Sequence, residues 1–86
     1  MTAGFHPARL NDYERAVLDG ALRFSVCLYR GRGAYEKAWV ETIDKARVLA
    51  RVMYENDGSG QPVVIYAVDH HKTSALVETY DPRRKT

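Results

Sequence analysis

The sequence predicts an α+β fold with the element order α-β-β-α-β-β, in which two hairpins form a four-stranded antiparallel sheet and the second helix packs across one face. Three observations carry this prediction. Segments 10–19 and 43–55 place apolar residues at helical spacing behind residues suited to capping. Segments 22–30 and 34–41 alternate with period two around the turn Arg30-Gly31-Arg32-Gly33. Segment 62–68, a nearly continuous apolar run, and segment 73–80, which alternates, flank a second polar turn at Asp69-His70-His71-Lys72.

Residues 1–9 read as a flexible lead-in, because Pro7 clashes with a helical conformation at His6. Asn11 is a fitting N-cap for the first helix, with Asp12 and Glu14 at the end where the helix dipole favours negative charge. Leu10, Tyr13, Val17, Leu18 and Ala21 share one side of that helix, and Gly20 is suited to end it. In 22–30, Leu22, Phe24, Val26 and Leu28 are expected to face the core, and Arg23, Ser25, Cys27 and Tyr29 the opposite side. In 34–41, Glu36, Ala38 and Val40 alternate with Tyr35, Lys37, Trp39 and Glu41.

Thr42 suits the N-cap of the second helix, whose apolar stripe is Ile43, Ala46, Leu49, Ala50 and Met53. The run Asn56-Asp57-Gly58-Ser59-Gly60 breaks it. The nearly continuous apolar run 62–68 reads as a central strand buried on both faces. In 73–80, Ala75 and Val77 oppose Ser74, Leu76 and Glu78. The expected core contains Phe24, Val26, Leu28, Ala46, Leu49, Ala50, Met53, Val63 and Ile65. The reading is one domain over 10–81, with a basic tail over 82–86.

Composition narrows the functional classes. The 86 residues are 45% hydrophobic and 28% charged, which suits one globular domain and not a disordered chain. Cys27 is the only cysteine, so no internal disulfide forms and a reducing, cytoplasmic location is expected. The first residues lack a signal-peptide pattern, and the longest apolar run is too short to cross a bilayer, so no membrane partner is expected. The net charge of +2 conceals a basic middle, an acidic third quarter and a basic end, a polarity that can steer a partner.

Catalytic signals are weak. Asp69-His70-His71 has metal-ligating side chains, and the same tripeptide occurs in metal-dependent phosphoesterases, but their further acidic motifs are missing and a polar turn explains it. Cys27 on an alternating strand reads as a small packed residue, not a nucleophile. Arg30-Gly31-Arg32-Gly33 lacks the Lys-Ser/Thr ending of a phosphate-binding loop. No enzyme activity, cofactor or metal site is expected.

The second sheet face is more informative, since it gathers aromatic and basic residues. The leading expectation is a non-catalytic module that binds another protein or a second copy of itself, as a homodimer at micromolar concentrations. Tyr29, Trp39 and Tyr66 are its contact aromatics, with Arg30, Arg32 and Lys37 as charged companions. The alternative is nucleic-acid binding by the Arg30–Gly33 hairpin, the sheet aromatics and the tail residues Arg83, Arg84 and Lys85. That binding is expected to be weak, because Asp69, Glu78 and Asp81 are expected on or beside the strands that would carry the ligand. A small metal-dependent hydrolase using Asp69, His70 and His71 ranks third.

Overall fold

Five strands and two helices follow one another as β1(Phe5–Pro7), α1(Asp12–Asp19), β2(Ala21–Gly31), β3(Ala34–Val40), α2(Ile43–Asp57), β4(Val63–Asp69) and β5(Ser74–Tyr80). The structure, a computed structural model, describes residues 4–31 and 34–84. The strands form one antiparallel sheet in the order β1-β5-β4-β2-β3. The α+β class, the two hairpins and the helix across the sheet are as the sequence predicts, but the sheet has five strands, not four. The additional strand lies within the expected lead-in: Phe5, His6 and Pro7 pair with Tyr80, Thr79 and Glu78. Pro7 is tolerated there because β1 is an edge strand, where one side of the backbone needs no ladder partner.

The helices form for the reasons legible in the sequence. Asn11 caps α1 reciprocally: its side chain accepts from the Glu14 amide at 2.8 Å, while the Glu14 carboxylate accepts from the Asn11 amide at 3.0 Å. Thr42 Oγ1 accepts from the Lys45 amide at 3.1 Å at the start of α2. Gly58 ends α2 at φ 73°, in the left-handed region that favours glycine.

Both helices lie on the same side of the sheet. β3 and β4 are both antiparallel to β2 and hence parallel to each other, so α2 is a crossover between parallel strands. Such crossovers are right-handed almost without exception, which gives the helix a single available face. On that side Phe24, Val26, Leu28, Val63, Ile65 and Ala67 of the sheet meet Ala46, Ala50 and Met53 of α2. Leu10 and Leu18 close against the same cluster. Tyr80 lies between Phe5 and Tyr54, with ring centroids 4.5 and 5.4 Å away.

Three expectations about burial need correction. Leu22 is 65% exposed, because a bulge between Ala21 and Arg23 turns Ala21 toward the core in its place. Leu49 is half-buried at the border of α2 and not in the core. Strand β4 is central, yet only its helix side is fully closed, and Val64 and Tyr66 on the opposite side remain half-buried.

A second bulge decides the fate of an acidic residue. Tyr66 pairs with Leu76 but Ile65 pairs with Glu78, so Val77 is an extra residue in β5. Val77 and Glu78 both become buried, and Glu78 joins Arg47 of α2 instead of following Ser74 and Leu76 to the opposite face. The Arg47 Nε and Nη2 groups donate to the two Glu78 carboxylate oxygens at 2.8 and 2.9 Å.

Candidate binding site

With both helices on one side, the opposite face of the sheet is left uncovered, and strict alternation determines what it displays. Ser25 of β2 stands between Trp39 of β3 and Tyr66 of β4, and Cys27 between Lys37 and Val64. Arg23 neighbours Val68, and Tyr29 neighbours Tyr35. At the centre of this face the middle strand carries the small Ser25 and Cys27, flanked by larger side chains on the strands beside it. The result is an open groove of about 570 Å³. Its floor is buried, with Ser25 at 2% and Cys27 at 3% exposure, whereas Tyr29, Tyr35 and Trp39 on its rim are about half exposed.

Cations and rings are already in contact. The Arg23 guanidinium lies 4.4 Å from the centroid of the Trp39 ring, and the Lys37 ammonium 4.8 Å from it. Such contacts hold a cation against an aromatic face while leaving its outer hydrogens free for an anion. Tyr29 and Tyr35 sit with ring centroids 5.9 Å apart. The neighbouring Tyr29 hydroxyl, together with partial burial, pushes the Tyr66 phenol up to about 12. Tyr66 therefore remains a neutral hydrogen-bonding group at physiological pH.

The influence of Tyr29 on Tyr66 makes a prediction. A phenol whose folded pKa lies above its ordinary value of about 10 contributes stability that is fully present below that value. That contribution disappears as pH rises through 10 to about 12. In a near-ultraviolet absorbance titration, Tyr66 is expected to ionise well after an ordinary phenol, and Tyr29→Phe to bring it back down. An unchanged titration in Tyr29→Phe would mean that the Tyr29 hydroxyl does not act on Tyr66.

Lys72 also lines the groove, from the turn between β4 and β5. Its φ of 64° is left-handed, a conformation that costs a residue with a Cβ about 1–2 kcal/mol. Asp69 builds that turn. Its Oδ1 accepts from the His71 and Thr73 amides, both at 3.0 Å. The Asp69 carboxylate is thus engaged with its own backbone, and among the described residues no group of three potential metal ligands gathers there or elsewhere.

None of the acidic residues expected to repel an anion lines the groove. Glu78 is on the helix side with Arg47, and Asp69 holds the turn. Asp81 follows β5, where its carboxylate accepts from the Arg83 amide. The charged residues lining the groove are Arg23, Lys37 and Lys72, with no carboxylate among them.

Of the residues singled out in the sequence, Tyr29, Lys37, Trp39 and Tyr66 are brought together in this groove. Arg30 contributes its backbone to β2, but its side chain, like Arg32 and Gly33, lies outside the described residues, as does Lys85. Arg83 and Arg84 follow β5 and do not line the groove. Arg23 and Tyr35 were legible as members of this face, though not as site residues. Val68, Lys72 and Ser74 were missed. The signal for Val68 was the alternation of 64, 66 and 68, hidden inside an all-apolar run. Lys72 enters from a turn, where no periodicity reports direction.

The arrangement can stack planar rings and pair with anions, and its lining includes neither an imidazole nor a carboxylate for proton transfer. No helix among the described residues is long and apolar enough to cross a membrane. Neither a known family of proteins, nor a curated protein, nor a solved structure matches this chain.

Proposed function

We propose that the protein is a non-catalytic binding module for single-stranded nucleic acid, with the uncovered sheet face as its platform. The observation that supports this reading is the joint presence of exposed rings and cations on one face with no carboxylate among them. Unpaired bases offer ring faces to Trp39, Tyr35 and Tyr29, and the phosphates between them offer charge to Arg23, Lys37 and Lys72. A duplex hides its base faces in its own stack and would reach only the cations. Protein contact through this same face is the less favoured reading. A second copy docked face to face would bring Arg23, Lys37 and Lys72 toward their own counterparts, and like charges across an interface are costly.

The test is fluorescence anisotropy with labelled single-stranded pyrimidine oligonucleotides, DNA and RNA, against a duplex control over a range of salt. Micromolar binding at low salt is expected, without strong sequence preference. Each contacted phosphate contributes about 0.7 to the log–log salt dependence on a single strand, so contacts by Arg23, Lys37 and Lys72 give a slope of about −2. Lys72→Gly is expected to flatten that slope by about 0.7. The same change should leave stability equal or higher, because glycine adopts a φ of 64° without penalty. Equal or tighter binding to the duplex, or no binding at the lowest salt, would refute the reading.

A further inference from the structure

A second surface, on the other side of the molecule, carries a separate message. α2 turns Ala46, Ala50 and Met53 to the sheet, and its outward side carries Val48 at 66% and Val52 at 43% exposure. Valine is a poor helix former, and an exposed helical position gains nothing from it unless something covers it. Val40 of β3 and the half-buried Leu49 extend the apolar surface into a shallow hollow of about 380 Å³.

The charges beside the valines say what covers them. Lys45, Val48, Val52 and Glu55 recur at intervals of three, four and three, which makes one continuous stripe on a helix. The stripe begins on a cation and ends on an anion, with the apolar pair between. It is complementary to itself when reversed. From this we infer that two copies of the chain pair through α2, antiparallel, about a two-fold axis between Val48 and Val52. Each Val48 then meets the partner's Val52, and each Lys45 meets the partner's Glu55. Lys45 makes a long ion pair with Glu41, 3.8 Å away, and lines the hollow beside Asp44; its side chain is 65% exposed, so it can turn to a partner. A different apolar helix would satisfy the valines but has no reason to match both charged ends.

The pairing gives a sheet–helix–helix–sheet assembly. The stripe lies on the helix side of the sheet, so the groove of each copy stays open on an outer face. The contact is one short helix against another, which places the dimer in the weak, micromolar class. Its existence does not depend on what the groove binds, and its test uses no oligonucleotide.

Sedimentation equilibrium and light scattering of the full chain over a wide concentration range provide the test. A concentration-dependent rise from one chain to two is expected. Val48→Asp should weaken the dimer at least tenfold, since it places a carboxylate at the two-fold contact. Lys45→Glu should weaken it about tenfold by setting like charges opposite each other in both symmetric contacts. The double variant Lys45→Glu with Glu55→Lys should restore it, because the reversed stripe is again self-complementary. These positions are exposed, and circular dichroism with thermal melting confirms that each variant is folded. A single-chain mass at every concentration overturns the inference. A dimer insensitive to Val48→Asp also overturns it, and points to the free edge of β3 or the sheet face. A charge reversal that the swap fails to rescue overturns the antiparallel pairing.

Discussion

Replacing Arg47 by alanine is expected to destabilise the protein by about 3–5 kcal/mol, the cost of leaving a buried charge without its partner. The Glu78 side chain is only 7% exposed, and the Arg47 Nε and Nη2 groups meet both of its oxygens at 2.8 and 2.9 Å. That bond raises the pKa of the guanidinium above its ordinary value, and outweighs the opposing effect of burial. Arg47 therefore stays charged throughout the pH range of the folded state. The two partners are not equivalent. The Arg47 side chain is 38% exposed and can turn to water when Glu78 is removed, whereas Glu78 has no such route. Glu78→Ala should accordingly cost less than Arg47→Ala. Arg47→Met combined with Glu78→Leu should recover much of the loss, since an apolar pair needs no desolvation of charge. Urea denaturation of the four proteins decides the matter. A loss below about 1 kcal/mol in Arg47→Ala, or a larger loss in Glu78→Ala, would contradict the buried-carboxylate account.

The same pair marks the limit of what the sequence discloses. Alternation along 73–80 assigns Glu78 to the face of Ser74 and Leu76, and it would hold in an unbroken strand. The bulge at Val77 reverses it, and neither glycine nor proline marks the position. Leu22 is misassigned for the same reason, through the bulge between Ala21 and Arg23. β1 is three residues long, shorter than any periodicity can register, and it exists because β5 offers a free edge. Where pairing is regular, the reading succeeds. Residues 24–29 and 35–40 sort onto their two faces one by one, because a side that meets α2 must be apolar while the other need not.

The site was half legible for a related reason. Its aromatic and basic residues could be named from the alternation of β2 and β3, but whether anything covers them depends on α1. The apolar stripe of α1 shows that the helix needs a surface, not which surface. Topology decides. β1 is at one edge beside β5, and β2 begins beyond β4, so the connecting helix must cross β5 and β4. It does so on the side where Phe24 and Val77 offer apolar contact to Leu10 and Leu18.

Removing the rings of Trp39 and Tyr66 is expected to have the largest effect on binding. Stacking of a base on an aromatic side chain is worth about 1–3 kcal/mol by alanine substitution, or roughly fivefold to more than a hundredfold in affinity. The two rings flank Ser25 on adjacent strands, one on either side, so they are separated by about two strand spacings, roughly 9.6 Å. That distance lets each take its own base. The losses should then combine to between about thirtyfold and twenty-thousandfold, with Trp39→Ala the larger share. Trp39 also positions charge: without its ring, Arg23 and Lys37 lose the surface that holds them 4.4 and 4.8 Å from its centroid. Trp39→Phe keeps a ring and should retain much of the affinity, and Tyr29→Phe, which keeps a ring and loses only the hydroxyl, should cost far less than Tyr66→Ala. Trp39 is 47% exposed, so its removal should leave the fold intact. If Trp39→Ala and Tyr66→Ala bind within about twofold of the parent while the salt dependence is unchanged, the attraction is to phosphates alone, and the rings serve another partner.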